Sequence, residues 1–242
     1  MAYRHGRNTD VLLGSYDISA YLNEATPSMS IDTAETSAFG SSAKTYIVGQ
    51  NDATVSLGGM FDGDATAVNA VFEDIISNDL TPAFTIAYDN GVGVGNNCSL
   101  GTAKQTSYEI SAPVGDVVSV TGEFQVTGGI RQGVLLNDGT ALSATTNGTS
   151  VDNSAATAIG AVANLHVIAN SRSTATTIKV QHSTDNSTWV DLITFTSVSA
   201  STITNENIAA GVLTIRRYLR AQTTLTAGTG SITPIVSIAR RN

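Results

Sequence analysis

The chain has 242 residues, 41% of them hydrophobic and 13% charged, with 4 Pro and a net charge of −8. That apolar content is too high for a disordered chain, and no run approaches the roughly 18 consecutive apolar residues of a membrane-spanning helix. The single cysteine, Cys98, excludes an intrachain disulfide framework and any cysteine-rich zinc site.

Low charge with abundant Thr, Ser, Val and Gly predicts a mainly β fold of many short strands and turns. The length allows one or two domains at about 100–200 residues each. Charge divides the chain unevenly: residues 1–132 hold 15 acidic and 5 basic residues, residues 133–242 hold 5 and 7. Such a step suggests two domains in different surroundings. The acidic half lacks the basic footprint that grips a nucleic-acid backbone, yet it could line a channel through which DNA passes. Arg4 and Arg7 stand near the start without an apolar run behind them, so no signal peptide is expected.

Asp10 to Ile18 reads as a strand region with a bend at Gly14-Ser15. Pro27 to Thr36 alternates Met29, Ile31 and Thr33 against small polar residues, as a strand does. Glu35 to Val48, containing Glu35, Phe39, Lys44 and Tyr46, is long for a connection, where roughly 4–6 residues is the median. It reads either as a pairing arm for a neighbouring subunit or as a surface loop. In Asp52 to Asp62, Val55, Leu57, Gly59 and Phe61 share one face of a strand. The period then changes. Val68, Val71, Phe72, Ile75 and Ile76 line one face of a helix from about Asp64 to Ser77, with Asp62 or Asp64 able to cap it. Ala83 to Tyr88 reads as a strand ended by the hairpin signal Asn90-Gly91. Ser99 to Ser111 and Asp116 to Thr127 are long strands, the second with Val118, Val120, Gly122, Phe124 and Val126 on one face. Glu123 therefore points the other way, and Glu109 on the preceding strand is a second carboxylate able to join it.

Gly128-Gly129 through Gly133, then the Thr/Ser/Asn/Gly-rich stretch Ser143 to Thr157, mark a boundary. The expected division is residues 1–135, a boundary region 136–157, and a β-sandwich over 158–242. The last part offers strands at Ala161 to Ala169, Thr177 to His182, Trp189 to Phe195, Leu213 to Thr224 and Ile232 to Ala239.

Motifs for chemistry are missing. His5, His166 and His182 are scattered, no Gly-x-Ser-x-Gly elbow accompanies the many serines, and His166 and His182 read as packed or surface strand residues. Gly91-Val92-Gly93-Val94-Gly95 reads as a hairpin loop, since Asn96 stands where the third fingerprint glycine should be. Asp62-Gly63-Asp64-Ala65-Thr66 with Glu73 imitates a calcium loop, but Ala67 occupies the position that needs Gly. No catalysis, cofactor or metal is expected.

Across residues 1–135 several segments occur in a familiar order. They are Gly14-Ser15-Tyr16-Asp17-Ile18-Ser19, Asp32 to Gly40, Tyr46-Ile47-Val48-Gly49, Thr54 to Gly63, the Ala/Val-rich helix, and Val117 to Gly129. Together they resemble the major tail tube proteins of long-tailed, siphovirus-type bacteriophages. The resemblance implies a tail-tube β-sandwich with one flanking α-helix, assembled as homohexameric rings that stack into a hollow tube for DNA delivery. It implies an acidic lumen, for which Glu123 and Glu109 are the candidates. It makes the loop bearing Glu35, Phe39, Lys44 and Tyr46 an inter-subunit element. The implied partners are further copies of the chain, a tape measure protein, and tail terminator and tail tip proteins, with DNA only in passage and no membrane. The implied place is the virion tail, made and assembled in the host bacterial cytoplasm.

Beyond residue 135, Ser183 to Leu192 followed by Arg217-Tyr218-Leu219-Arg220-Ala221 is similar to discoidin-type, galactose-binding-like sandwiches, in which a turn-Trp strand and an Arg-Tyr strand pack together. This resemblance implies a C-terminal antiparallel β-sandwich surface domain, with Trp189 packed inside it and a weak glycan contact as a further partner. The competing readings are a secreted or surface carbohydrate-binding or adhesin β module, and the inner tube of a contractile injection machine.

Overall fold

A computed structural model describes residues 6–40, 42–64, 66–211 and 213–240; Arg4, His5 and Ala65 lie outside them. The fold is mainly β, with antiparallel pairing and one α-helix among the described residues. Strands β1 (Asp10–Leu13) and β2 (Tyr16–Asp17) turn at Gly14, whose φ of +59° suits glycine. β3 (Leu22–Glu35) and β4 (Tyr46–Met60) form a long hairpin, so the segment from Glu35 to Val48 is strand at both ends and irregular only between them.

Helix α1 (Val68–Ser77) buries Val68, Val71, Phe72 and Ile75, while Ile76 is partly exposed. Neither Asp62 nor Asp64 caps it. Ala67 holds the N-cap position without a side-chain bond, because Asp62 Oδ1 accepts from the Asp64 amide and Asp64 O from the Ala67 amide, a preceding turn that uses both residues. The helix lies on the apolar face of the sheet, where the rings of Phe72 and Phe124 meet edge to face at 5.4 Å.

β5 (Ala83–Ala87) is buried along its whole length. The Asn90-Gly91 turn has positive φ at both residues, but the connection to β6 (Asn97–Ser111) spans residues 88–96 instead of two, since Asp10 Oδ2 accepts the Val92 amide at 2.7 Å and pulls the loop toward β1. β7 (Ser119–Leu135) runs through Gly128-Gly129, both at positive φ, as an irregularity in its pairing with β6. Those glycines bend the strand and do not end it.

The sheet rolls around its first core. Val11, Phe84 and Ile86 of β1 and β5 join Val55, Leu57 and Phe124 of β4 and β7 in one buried cluster. One outer side of this roll is the polar face of β3, β4, β7 and β6. The opposite outer side, on β1 and β5, is covered by the second half of the chain.

That half contains β8 (Thr146–Asn147), β9 (Val151–Asp152), β10 (Ala161–Asn170), β11 (Thr176–Ser183), β12 (Val190–Thr194), β13 (Thr204–Ala210), β14 (Tyr218–Leu225) and β15 (Ile232–Arg240). One sheet runs β12-β11-β14-β8, with β9 also on β14. Strands β13-β10-β15 form a middle layer, and β15 joins β7 through Ser237↔Leu135 and Ile238↔Val134. β10 faces two ways. Ala161, Ala163, Leu165 and Val167 enter the core of the second half, and Val162 packs with Leu12, Ala87, Cys98, Leu100 and Leu135 of the first. The boundary region 136–157 is woven into this half, since β8 and β9 both pair with β14.

Candidate functional site

Alternation on four paired strands builds a continuous polar face. On β4, Ala53, Val55, Leu57 and Gly59 point into the core and Asp52, Thr54, Ser56 and Gly58 point out. Register carries the same division across the neighbours. Thr26 and Ser28 of β3 lie opposite Ser56 and Thr54, while Thr121, Glu123 and Gln125 of β7 lie opposite Gly58, Ser56 and Thr54. On β6, Ser107 pairs with Glu123 and Glu109 with Thr121, after a bulge between Gln105 and Ser107. Glu109 thus shares the face of Glu123, a facing that β6 alone left open because the bulge resets its alternation. Glu24, opposite Gly58, and Asp52 add two carboxylates absent from the expected set.

The Glu123 carboxylate is partly buried and accepts the Ser56 hydroxyl at 2.7 Å. Gln125 donates to Asp52 Oδ1 and to the Ala53 carbonyl, and Thr26 donates to Glu24 at 3.2 Å. The one lysine here, Lys104, is engaged by Asp79 at 2.6 Å. The face therefore presents small hydroxyl side chains and four carboxylates, a surface suited to water and repulsive to phosphate.

Both edges of this four-strand unit are open. Among the described residues β3 pairs only with β4, and β6 pairs with β5 only from Cys98 to Thr102, leaving Lys104 to Ser111 unpaired on that side. Unpaired strand edges template further pairing.

The β3–β4 hairpin extends past the rest of the sheet. β4 meets β7 only from Thr54 onward, and residues 28–35 and 46–52 are exposed throughout. At about 3.3 Å per residue this arm reaches some 25 Å beyond its support. Glu35 and Lys44 form an ion pair at 3.0 Å that closes the tip, and Thr36 and Thr45 bond through backbone and side chains. Phe39 stands fully exposed at the tip, and Met29, Ile31, Tyr46, Ile47 and Val48 are exposed along the arm. This is a large apolar area for a free surface.

In the second half, Trp189 is not packed inside the sandwich. It is half-buried on the outer face of β11 and β14, with the Arg220 guanidinium 4.2 Å over its ring. The turn-Trp segment and the Arg-Tyr strand do meet there. Arg220 in turn donates to Gln181, and Gln181 and Lys179 donate to Asp191. The cation occupies one ring face that a sugar would need. His166 and His182 are both buried, and His182 Nδ1 accepts the Arg216 amide.

No protein family and no curated relative matches the chain. Solved structures do show likenesses. The virion of a native gene transfer agent particle gives a TM-score of 0.44 at 16% identity, over 53% of this chain and 97% of that one. The SPP1 tail tube gives 0.43 at 14%, over 54% and 78%. The SPP1 Dit protein, described as a hub of the adsorption apparatus in phages that infect Gram-positive hosts, gives 0.40 at 10%, over 96% and 98%. At such identities and TM-scores these likenesses carry no functional conclusion.

Proposed function

We propose that the chain is a structural subunit that self-assembles into stacked hexameric rings, the tube of a long-tailed phage. The observation that carries this reading is the unit β3-β4-β7-β6, with one face on a core, the other polar and carboxylate-bearing, and both edges open. Copies paired edge to edge close such a sheet into a barrel, which removes the edges and turns the polar face inward. Glu24, Asp52, Glu109 and Glu123 then repeat around the lumen and keep passing DNA from sticking. The arm is suited to reach a neighbouring copy, where its apolar residues would be covered. The second half lies on the side away from the polar face, which supports placing residues 158–242 outside the tube. Tape measure, terminator and tip proteins are the further partners this role requires, and the virion tail is its place.

Electron microscopy of the purified chain, alone and with tail-initiating proteins, tests the reading. Rings or hollow tubes with the polar face inward are expected. A protein that stays monomeric alone and within purified tails overturns it.

A further inference from the structure

The two halves meet through a buried polar cluster that an assembly role does not call for. Gly14 and Thr85 belong to the first half, and Asn164, His166 and Ser237 to the second; the three polar side chains of the second half and Thr85 are completely buried. His166 Nδ1 lies 2.7 Å from the Gly14 carbonyl, and Thr85 Oγ1 lies 2.8 Å from His166 Nε2. A carbonyl only accepts, so Nδ1 carries the proton, and in the neutral ring Nε2 accepts from Thr85. The Thr85 hydroxyl proton is then committed, and its oxygen accepts from Ser237 at 2.9 Å. Beside this chain, Asn164 donates to the carbonyls of Phe84 and Gly101, and Asn205 accepts the Ala83 amide. Side chains of β10 and β13 thus satisfy backbone groups of β5 and its neighbours as a paired strand would, and Ser237 of β15 joins through the Thr85 hydroxyl.

Burial, and not the hydrogen-bond pattern, favours the neutral imidazole. The Thr85 and Ser237 hydroxyls could turn to accept a proton on Nε2, but that proton would place a full charge on a ring with no exposed surface and no bonded carboxylate, and burial pushes the His166 pKa down to about 4. The charged groups on the surrounding elements are engaged elsewhere. Asp10 on β1 accepts from Val92, Asp17 on β2 from Ser19, Asp74 on α1 from Asn78, and Glu206 on β13 from Thr196. Lys104 on β6 pairs with Asp79, Glu109 lies beyond it on the polar face, and Arg240 on β15 donates to the Ala155 and Asn153 carbonyls. β5 carries no charged residue.

We propose that His166 is an acid-operated latch between the halves: neutral, it seats β13-β10-β15 on β1 and β5, and protonated, it releases that seam while the separate cores of the two halves persist. This goes beyond the assembly reading and stands independently of it. The seam carries its own reporter, because the single thiol, Cys98, is buried in the apolar cluster shared by the halves.

The test is labelling of Cys98 in the full chain with dithiodipyridine, which reacts in acid, from pH 7 to pH 4. Rates are divided by those of a free cysteine peptide, and far-UV circular dichroism is followed in parallel. In the wild type the corrected rate should climb about tenfold per pH unit below pH 6.5, with β structure retained. The variant H166Q, which can donate to Gly14 and accept from Thr85 without titrating, should show a flat profile. An equal climb in H166Q, a thiol that stays protected in the wild type at pH 4, or loss of β structure together with labelling overturns the latch. Should H166Q fail to fold, the ¹³Cε1 shift of His166 in the wild type decides: a midpoint near pH 6.5 refutes the proposal, and a midpoint near pH 4, where the climb in labelling levels off, supports it.

Discussion

Arg172 carries its charge into a loop that offers it only carbonyls and a hydroxyl. It is 2% exposed, and its guanidinium donates to the carbonyls of Thr226, Gly228 and Gly230 and to Thr174 Oγ1. One side chain thereby ties the β10–β11 bend to the β14–β15 bend. Gly230 permits the approach, since its φ is +88° and a Cβ there would stand 2.1 Å from the Ser171 carbonyl. Arg172→Met nearly keeps the volume and removes every side-chain donor, leaving the Gly228 and Gly230 carbonyls without their partner and the Thr226 carbonyl with the Thr174 hydroxyl alone. A loss of roughly 2–4 kcal/mol is expected in a urea midpoint measurement, and Arg172→Lys should recover little because one ammonium cannot span the same acceptors. Glu123 is a residue of the opposite kind, partly exposed and held only by Ser56. Glu123→Lys should leave the unfolding midpoint within about 0.5 kcal/mol, as a surface change does. In particles with normal tails it should slow DNA ejection at low salt, with the defect relieved as salt rises. Unchanged ejection at low salt would remove Glu123 from the lumen.

At the scale of elements, the arm is where stability and function separate. Residues 28–35 and 46–52 contribute nothing to the buried clusters, so their removal costs no core. Replacing residues 32–50 with a two-residue Asn-Gly turn, which keeps Ile31 opposite Asn51, should leave the melting temperature of the subunit within a few degrees. Assembly, read by sedimentation and microscopy, should fail. Tubes of normal length from the shortened chain would show that the arm is not an inter-subunit element. The hairpin was only half legible in sequence. Pro27 to Thr36 announces β3 by its alternation, but Tyr46-Ile47-Val48 reads as the end of a long connection, because three consecutive apolar residues show no alternation. The helix and the strands around Val55 and Phe124 were legible for the converse reason, since each sets an apolar face on one core. In sequence β7 ends at Thr127, before Gly128-Gly129, because glycine marks a bend as readily as an end. β13, with Ile208 and two alanines as its apolar content, offered no period at all.

At the scale of the whole molecule, the charge step and the Ser143 to Thr157 stretch pointed to a division that the contacts qualify. Sequence shows which residues are apolar on both faces of a strand, as in Ile232 to Ala239, but not what covers the second face. Here it is the first half: Val162, Ile235 and Ala239 pack on Leu12, Ala87, Cys98, Leu100 and Leu135, all of them buried. We propose that 1–135 and 158–242 are distinct in architecture and, while the His166 seam is closed at pH 7, unfold as one unit. The full chain should therefore lose both halves in one transition, with intrinsic fluorescence of Trp189 and far-UV circular dichroism superimposing in urea at pH 7. A chain ending at Asn137 keeps the polar face, both open edges and the arm, so nothing needed for edge pairing is cut. It bares the outer side of β1 and β5, however, and leaves the Phe84, Gly101 and Gly14 carbonyls without the side chains that serve them. At about 25 cal/mol per Å² of apolar surface, uncovering five buried side chains costs several kcal/mol, a large share of the stability of a domain this size. The truncated chain is expected to label fully at Cys98 at pH 7, to unfold at a much lower urea concentration, and to aggregate on concentration. A truncated chain as stable as the full one, with Cys98 still protected, would show that the halves fold independently and that the seam merely rests one on the other.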